Sequence, residues 1–166
     1  QLNEISRQLI TYERADGVPL SATLYLPADY EDGDTLPVLV WGYPLEYNDA
    51  STAGQVSGSP YEFTRGGGTS PRFMVTQGYA LLENAPMPIV GDDPLTVNDT
   101  FIDQLVLSAE AARDITVEMG FGDGERLAIA GHSYGAFMTA HLLAASDIFR
   151  AGIARSGAYN RTLTPF

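Results

Sequence analysis

Apolar and polar positions change their period more than once along this 166-residue chain, and each change predicts a different element. The opening stretch LITYERADGVPLSATLYLP alternates in two runs around Asp16-Gly17 and closes at Pro27, the pattern of a β-hairpin. After the polar turn EDGDT, LPVLVWGYP is continuously apolar, as in a strand covered on both faces, and YALLENAPM repeats that signature. Between the two lie a Gly- and Ser-rich stretch, about Leu45 to Thr69, and SPRFMVTQG. The first reads as a long loop and the second as a short helix stopped by Gly78.

From Asn98 the period becomes helical. Ile102, Leu105, Val106, Ala109, Ala112 and Met119 fall on one face, with Asp103, Glu110, Arg113 and Glu118 off it. Asn98, Asp99 and Thr100 are N-cap candidates, and Gly120 or Gly122 ends the helix. A strand RLAIAG, a helix from Tyr134 to about Ala145 and a strand AGIARSG follow. Strands alternating with helices after an antiparallel start predict an α/β domain with a mostly parallel sheet.

The junction Gly131-His132-Ser133-Tyr134-Gly135 fits G-x-S-x-G. Three fixed positions recur by chance in about one chain in twenty of this length, so the frame must carry the argument. Here an apolar strand precedes the motif and an apolar helix follows it, as a nucleophile elbow requires. The glycines let neighbouring backbones approach, and the helix N-terminus offers N–H groups to a developing oxyanion. Ser133 is therefore the candidate nucleophile; an ordinary strand–turn–helix junction with a serine cap is the alternative.

A serine needs a base, and in this frame the acid and then the histidine follow the serine along the chain. The two histidines are His132 and His141. His132 adjoins the serine at the bend, and His141 lies eight residues on, roughly 12 Å along a helix. Neither suits the role. The 33 residues after Ser133 are too few for the remaining strands. The base is expected outside this chain.

Composition narrows the class. A formal net charge of −12 and the absence of a basic run argue against nucleic acid as a partner. Without cysteine there is no disulfide, thiolate metal site or cysteine nucleophile. No apolar run reaches the roughly 18 residues of a membrane span. Carboxylates and histidines lack metal-ligand spacing, and Gly66-Gly67-Gly68 lacks the frame of a phosphate loop, so no metal or cofactor is expected. The start QLNEISRQL has neither initiator Met nor an apolar leader core, which suggests a segment of a longer protein. Its compartment stays open between a bacterial periplasm, secretion, a cytoplasm and a plastid.

GHSYGAFMTAHLL followed by FRAGIARSGAYNRTLTPF resembles the catalytic domain of the prolyl oligopeptidase family of serine peptidases, and within it the glutamyl endopeptidase branch. GVPLSATLYLPADY, LPVLVWGYPLEY, GYALLENAPMPIVG and NDTFIDQLVLSAEAA match that branch in order. The resemblance implies a partial α/β-hydrolase fold over residues 1–166, lacking the later strands that carry the acid and the histidine. It also implies a β-propeller on the N-terminal side and a peptide or protein substrate. None of Asp92, Asp93, Asp99, Asp103, Asp114 or Asp147 sits where the family places its acid.

By the same resemblance Ser133 is the nucleophile and the Tyr134 N–H one oxyanion donor. The second donor comes from the loop after VLVWGYP, where Trp41 holds the matching position and Tyr43 stands two residues later. Trp41, Tyr43 and a backbone N–H all stay open. Cleavage after glutamate needs a cation in the pocket, and Arg161, with Arg155 in reserve, follows the strand after the nucleophile helix. In relatives that cut after proline, the position of Arg161 is an aromatic wall of the specificity pocket. A carboxylesterase on the same fold and a non-catalytic hydrolase-like interaction module are the competing readings.

Overall fold

Alternation in the first run of residues becomes a two-stranded ribbon. In the computed structural model, which describes residues 4–56 and 67–159, β1 (Ser6–Glu13) pairs antiparallel with β2 (Pro19–Leu26). The register runs from Ser6↔Leu26 to Glu13↔Pro19, and Gly17 turns the chain at φ 84°. Four further strands, β3 (Leu36–Tyr47), β4 (Ala80–Val90), β5 (Gly122–His132) and β6 (Ala151–Arg155), run parallel to one another. The six strands are ordered β1-β2-β4-β3-β5-β6, so the ribbon joins the parallel part through β2 against β4. This is the mostly parallel sheet with an antiparallel N-terminal hairpin that the pattern predicts.

Covering on both faces explains the continuous apolar runs. Val38, Leu39, Val40, Ala80, Leu81 and Leu82 are all buried. On one face lie α2 (Phe101–Glu118) and α3 (Tyr134–Ala145), which bury Leu105, Ala109, Ala112, Met138 and Leu142 against Val38, Val40, Leu82 and Ile129. The opposite face carries Tyr25, Leu39, Leu81 and Ala130 beneath Val75 of a 3-10 helix, Pro71–Gln77. That helix has proline in its first turn and a Ser70 hydroxyl that accepts from the Arg72 N–H. Gly78 ends it in the left-handed region at φ 85°.

Strand boundaries differ from the sequence reading: β4 runs on to Val90 and β5 starts at Gly122, before Arg126. β3 continues to Tyr47, pairing with β4 as far as Tyr47↔Val90, so the expected loop begins later. It also holds a short helix, α1 (Ala50–Ala53), whose cap Asp49 accepts from the Thr52 N–H and from the Ser51 and Thr52 hydroxyls. These bonds hold the Asp49 carboxyl down at about 2. At the start of α2, which follows a 3-10 turn, Val97–Thr100, the N-cap is Thr100, one of the three candidates. Thr100 makes no cap bond to a backbone N–H; its hydroxyl accepts from Gln104 Nε2 instead.

Burial on α2 also departs from the simple stripe. Ile102 and Met119 are exposed while Gln104 and Ser108 are buried. Gln104 and Ser108 are drawn inward by Arg14, itself buried, which follows β1 and enters the space between the ribbon and α2. Its guanidinium donates to both oxygens of Asp16 at 2.7 and 2.5 Å, to the Pro88 carbonyl at 2.8 Å and to Gln104 Oε1 at 3.0 Å. Gln104 in turn accepts from the Val90 N–H and donates to the Val90 carbonyl. A buried guanidinium is tolerated only when its donors are met, and here they are.

Candidate active site

At the end of β5 the chain reverses through a single residue into α3. Ser133, the N-cap of α3, has φ 58° and ψ −115°, a conformation that costs an L-residue roughly 1–3 kcal/mol. The surroundings hold it there. The Ser133 N–H donates to the Arg155 carbonyl at the end of β6, 2.9 Å away. The Ser133 carbonyl accepts from the N–H groups of Ala136 and Phe137 and so starts the helix. Its hydroxyl makes no hydrogen bond to a described residue, and the side chain is exposed.

The motif glycines are required by backbone crossings. A Cβ on Gly131 would lie 2.5 Å from the carbonyl carbon and oxygen of Gly135. One on Gly135 would lie 2.7 Å from the Gly42 carbonyl oxygen of β3. Three backbone segments thus meet where only hydrogens fit. Gly131→Ala is expected to destabilise by about 1–3 kcal/mol, seen as a fall of several degrees in melting temperature, because the obstructing atoms are backbone and cannot step aside.

β3 reaches the elbow through a bulge. Trp41 pairs with Glu83 and Gly42 with Ala85, leaving Asn84 as an extra residue in β4 at φ 56°. The extra residue bends β4 and keeps Ala85 and Met87 in the core that holds Ala80 and Leu82. Trp41, before the bulge, packs with Tyr25, Leu39, Val75 and Leu81 on the face away from α3. Tyr43, beyond it, is exposed and stands edge-on to Tyr134, ring centroids 6.1 Å apart. A hollow of about 330 Å³ lies along this bulge, between Trp41, Tyr43 and Asn84. Of the two residues offered as second oxyanion donor, Tyr43 is the one beside the elbow. Alternation contains part of that signal, since Leu39 and Trp41 share one strand face; the contact of Tyr43 with Tyr134 has no sequence signature.

The other expected residues distribute as follows. Tyr134 occupies the first position of α3, its ring stacked on Phe101 and Phe137 at 5.8 Å each and its hydroxyl donating to Glu46 Oε1 at 2.9 Å. Glu46 and Phe101 were not among the residues selected from sequence. His132 is exposed and lies opposite Arg155 in the β5–β6 register. His141 packs edge-on against Phe137 at 4.2 Å, within the same aromatic group. No hydrogen bond joins either histidine to Ser133. Arg155 supplies the carbonyl that holds Ser133, and its Nη1 donates to the Thr69 carbonyl at 3.3 Å. Arg161 lies outside the described residues.

Beside the elbow, on the α2 side, opens an aromatic-floored cleft of about 710 Å³ that includes Tyr134. A larger hollow, about 860 Å³ near Pro27 and Val75, has Glu4 and Asp29 as the ionisable groups among its described lining residues. Among the described residues no group of three or more His, Asp or Glu could hold a metal ion. Among the described residues no helix is long and apolar enough to cross a membrane.

Comparison with known proteins places this geometry. Residues 100–164 match the model of the prolyl oligopeptidase family. Two curated relatives, each named "Probable glutamyl endopeptidase, chloroplastic", come from Oryza sativa subsp. japonica and Arabidopsis thaliana. They are 52% and 51% identical over 170 residues, a match that takes in 100% of this chain. The chain spans 18% of the length of each relative. Among solved structures, AtxE2 isopeptidase superposes with a TM-score of 0.66 at 22% identity, over 89% of this chain and 22% of that one. At that identity the likeness speaks for fold, and the fold is that of the α/β-hydrolase peptidases.

Proposed function

The chain belongs to the prolyl oligopeptidase family, and on that premise we propose that it is the nucleophile-bearing part of a serine endopeptidase domain that cuts after glutamate. The observation that carries this reading is Ser133, held in a strained turn at the end of β5 with its hydroxyl exposed. Strain of that kind persists where the surroundings enforce it, and a positioned nucleophile is a use for it.

In this reading the Ser133 hydroxyl adds to the carbonyl carbon of the scissile bond while its proton passes to a histidine base. The tetrahedral oxyanion lies against the helix N-terminus, with the Tyr134 N–H as one donor. Tyr43 stands where a side-chain hydroxyl could be the second. The protonated base then gives its proton to the leaving amine as the C–N bond breaks, and water releases the acyl group by the same steps. In the same proposal the base and its carboxylate partner come from residues outside this chain, a reading supported by the lack of a hydrogen bond from His132 or His141 to the serine. A β-propeller preceding the domain belongs to the same proposal.

Specificity for glutamate requires a local cation, the more so in a chain of net charge −12. Arg161 is assigned that role, with Arg155 as the alternative. Arg161→Ala in the full-length protein is expected to cost about 2–5 kcal/mol in kcat/KM for a glutamyl peptide, and much less for the matched glutaminyl peptide. Equal losses on the two peptides would move the role to another residue.

A further inference from the structure

Charge is divided across the elbow. β5, which delivers Ser133, lies between β3 and β6. On the β6 side stands Arg155. On the β3 side stands Glu46, and from the 3-10 turn before α2 and the first turn of α2 come Asp99 and Asp103, around the cleft floored by Phe101, Tyr134 and His141. None of the ion pairs among described residues involves these three carboxylates, and the Glu46 carboxylate is held by the Tyr134 hydroxyl.

Two physical consequences follow. Like charges repel, so this cleft cannot be where a substrate glutamate binds. An aromatic floor ringed by uncompensated carboxylates suits an aliphatic stem that ends in a positive charge. The stem packs on the rings, and the ammonium or guanidinium meets the carboxylates and the ring faces. Tyr134 both follows the nucleophile in sequence and lines the cleft, so an occupant sits within a few residues of the bond being cut.

We propose that this cleft is a subsite for a lysine or arginine of the peptide substrate, on the opposite side of Ser133 from Arg155. The inference rests on Ser133 being the nucleophile of a peptidase. It gives the substrate a polarity: an acidic residue at the cut, and a basic residue a short distance along the chain.

The test reads binding rather than cleavage, using full-length protein carrying Ser133→Ala and labelled peptides of one sequence with a fixed glutamate. A single Lys, Arg or norleucine is walked through the neighbouring positions, and affinity is followed by fluorescence anisotropy. At one position the basic peptides are expected to bind about tenfold tighter than the norleucine peptide, an advantage that added salt reduces. Adding Asp99→Asn and Asp103→Asn should bring the three peptides to within about twofold. The norleucine affinity should stay unchanged, which a misfolded variant would not show. No position favouring a basic residue, or an advantage that survives the double substitution, would overturn the subsite. Failure of the underlying reading appears separately, as peptide cleavage that persists in the Ser133→Ala protein.

Discussion

Ser133→Ala in the full-length protein is expected to lower kcat on glutamyl peptides by about 10,000-fold or more while leaving the melting temperature within about a degree. Both halves of that expectation come from the local geometry. Every bond that holds the residue in place is made by its backbone: the N–H to the Arg155 carbonyl, and the carbonyl to the Ala136 and Phe137 N–H groups. Alanine keeps them all and bears the same strain at φ 58°. What is lost is the oxygen that forms the acyl bond, for which the site has no replacement. Ser133→Gly should be as inactive yet more stable, by about 1 kcal/mol, because glycine relieves the turn. An alanine variant that loses activity through unfolding would point to a structural serine instead.

The largest effect on stability is expected at Arg14. Arg14→Ala should destabilise by about 3–5 kcal/mol, lowering the apparent melting temperature of the domain by on the order of 10 °C. The substitution empties a buried position and strips hydrogen bonds from the Pro88 carbonyl, Gln104 and Asp16. Arg14→Met should recover part of the loss, since it refills the space without restoring the bonds. The same pair predicts a pH dependence. Hydrogen bonding to Arg14 lowers the Asp16 pKa below its ordinary value, so the pair stabilises the fold above the unfolded carboxylate pKa near ~3.9. That contribution is lost as pH falls through the lower folded-state value. Because Asp16 is 41% exposed, solvent screens the effect, and acid melting curves of Asp16→Asn should differ only modestly from those of the parent.

Local pattern made the strands, the two long helices and the elbow legible, because each depends on neighbours a few residues apart. The features it missed are set by distant partners. Gln104 and Ser108 are polar by composition and buried because Arg14, some 90 residues earlier, enters beneath them. β3 extends to Tyr47 because β4 pairs with it that far. The choice between Trp41 and Tyr43 turns on how far along β3 the start of α3 packs, which the contact between Tyr43 and Tyr134 shows. Glu46 gains a role from Tyr134, 88 residues later. The specificity cation was approached by sequence through Arg161, which lies outside the described residues; what the structure adds nearby is the carbonyl of Arg155 as a support of the elbow.

The central claim is that Ser133 is the nucleophile of a serine peptidase whose base lies outside this chain. A fluorophosphonate probe with mass-spectrometric site mapping addresses both parts in one measurement. The full-length protein should be labelled stoichiometrically on the peptide containing Ser133, and residues 1–166 alone should give no labelling above a Ser133→Ala control, since a serine hydroxyl without a base is a poor nucleophile at neutral pH. Labelling of the full-length protein at a different serine, or stoichiometric labelling of Ser133 in residues 1–166 alone, would contradict the account.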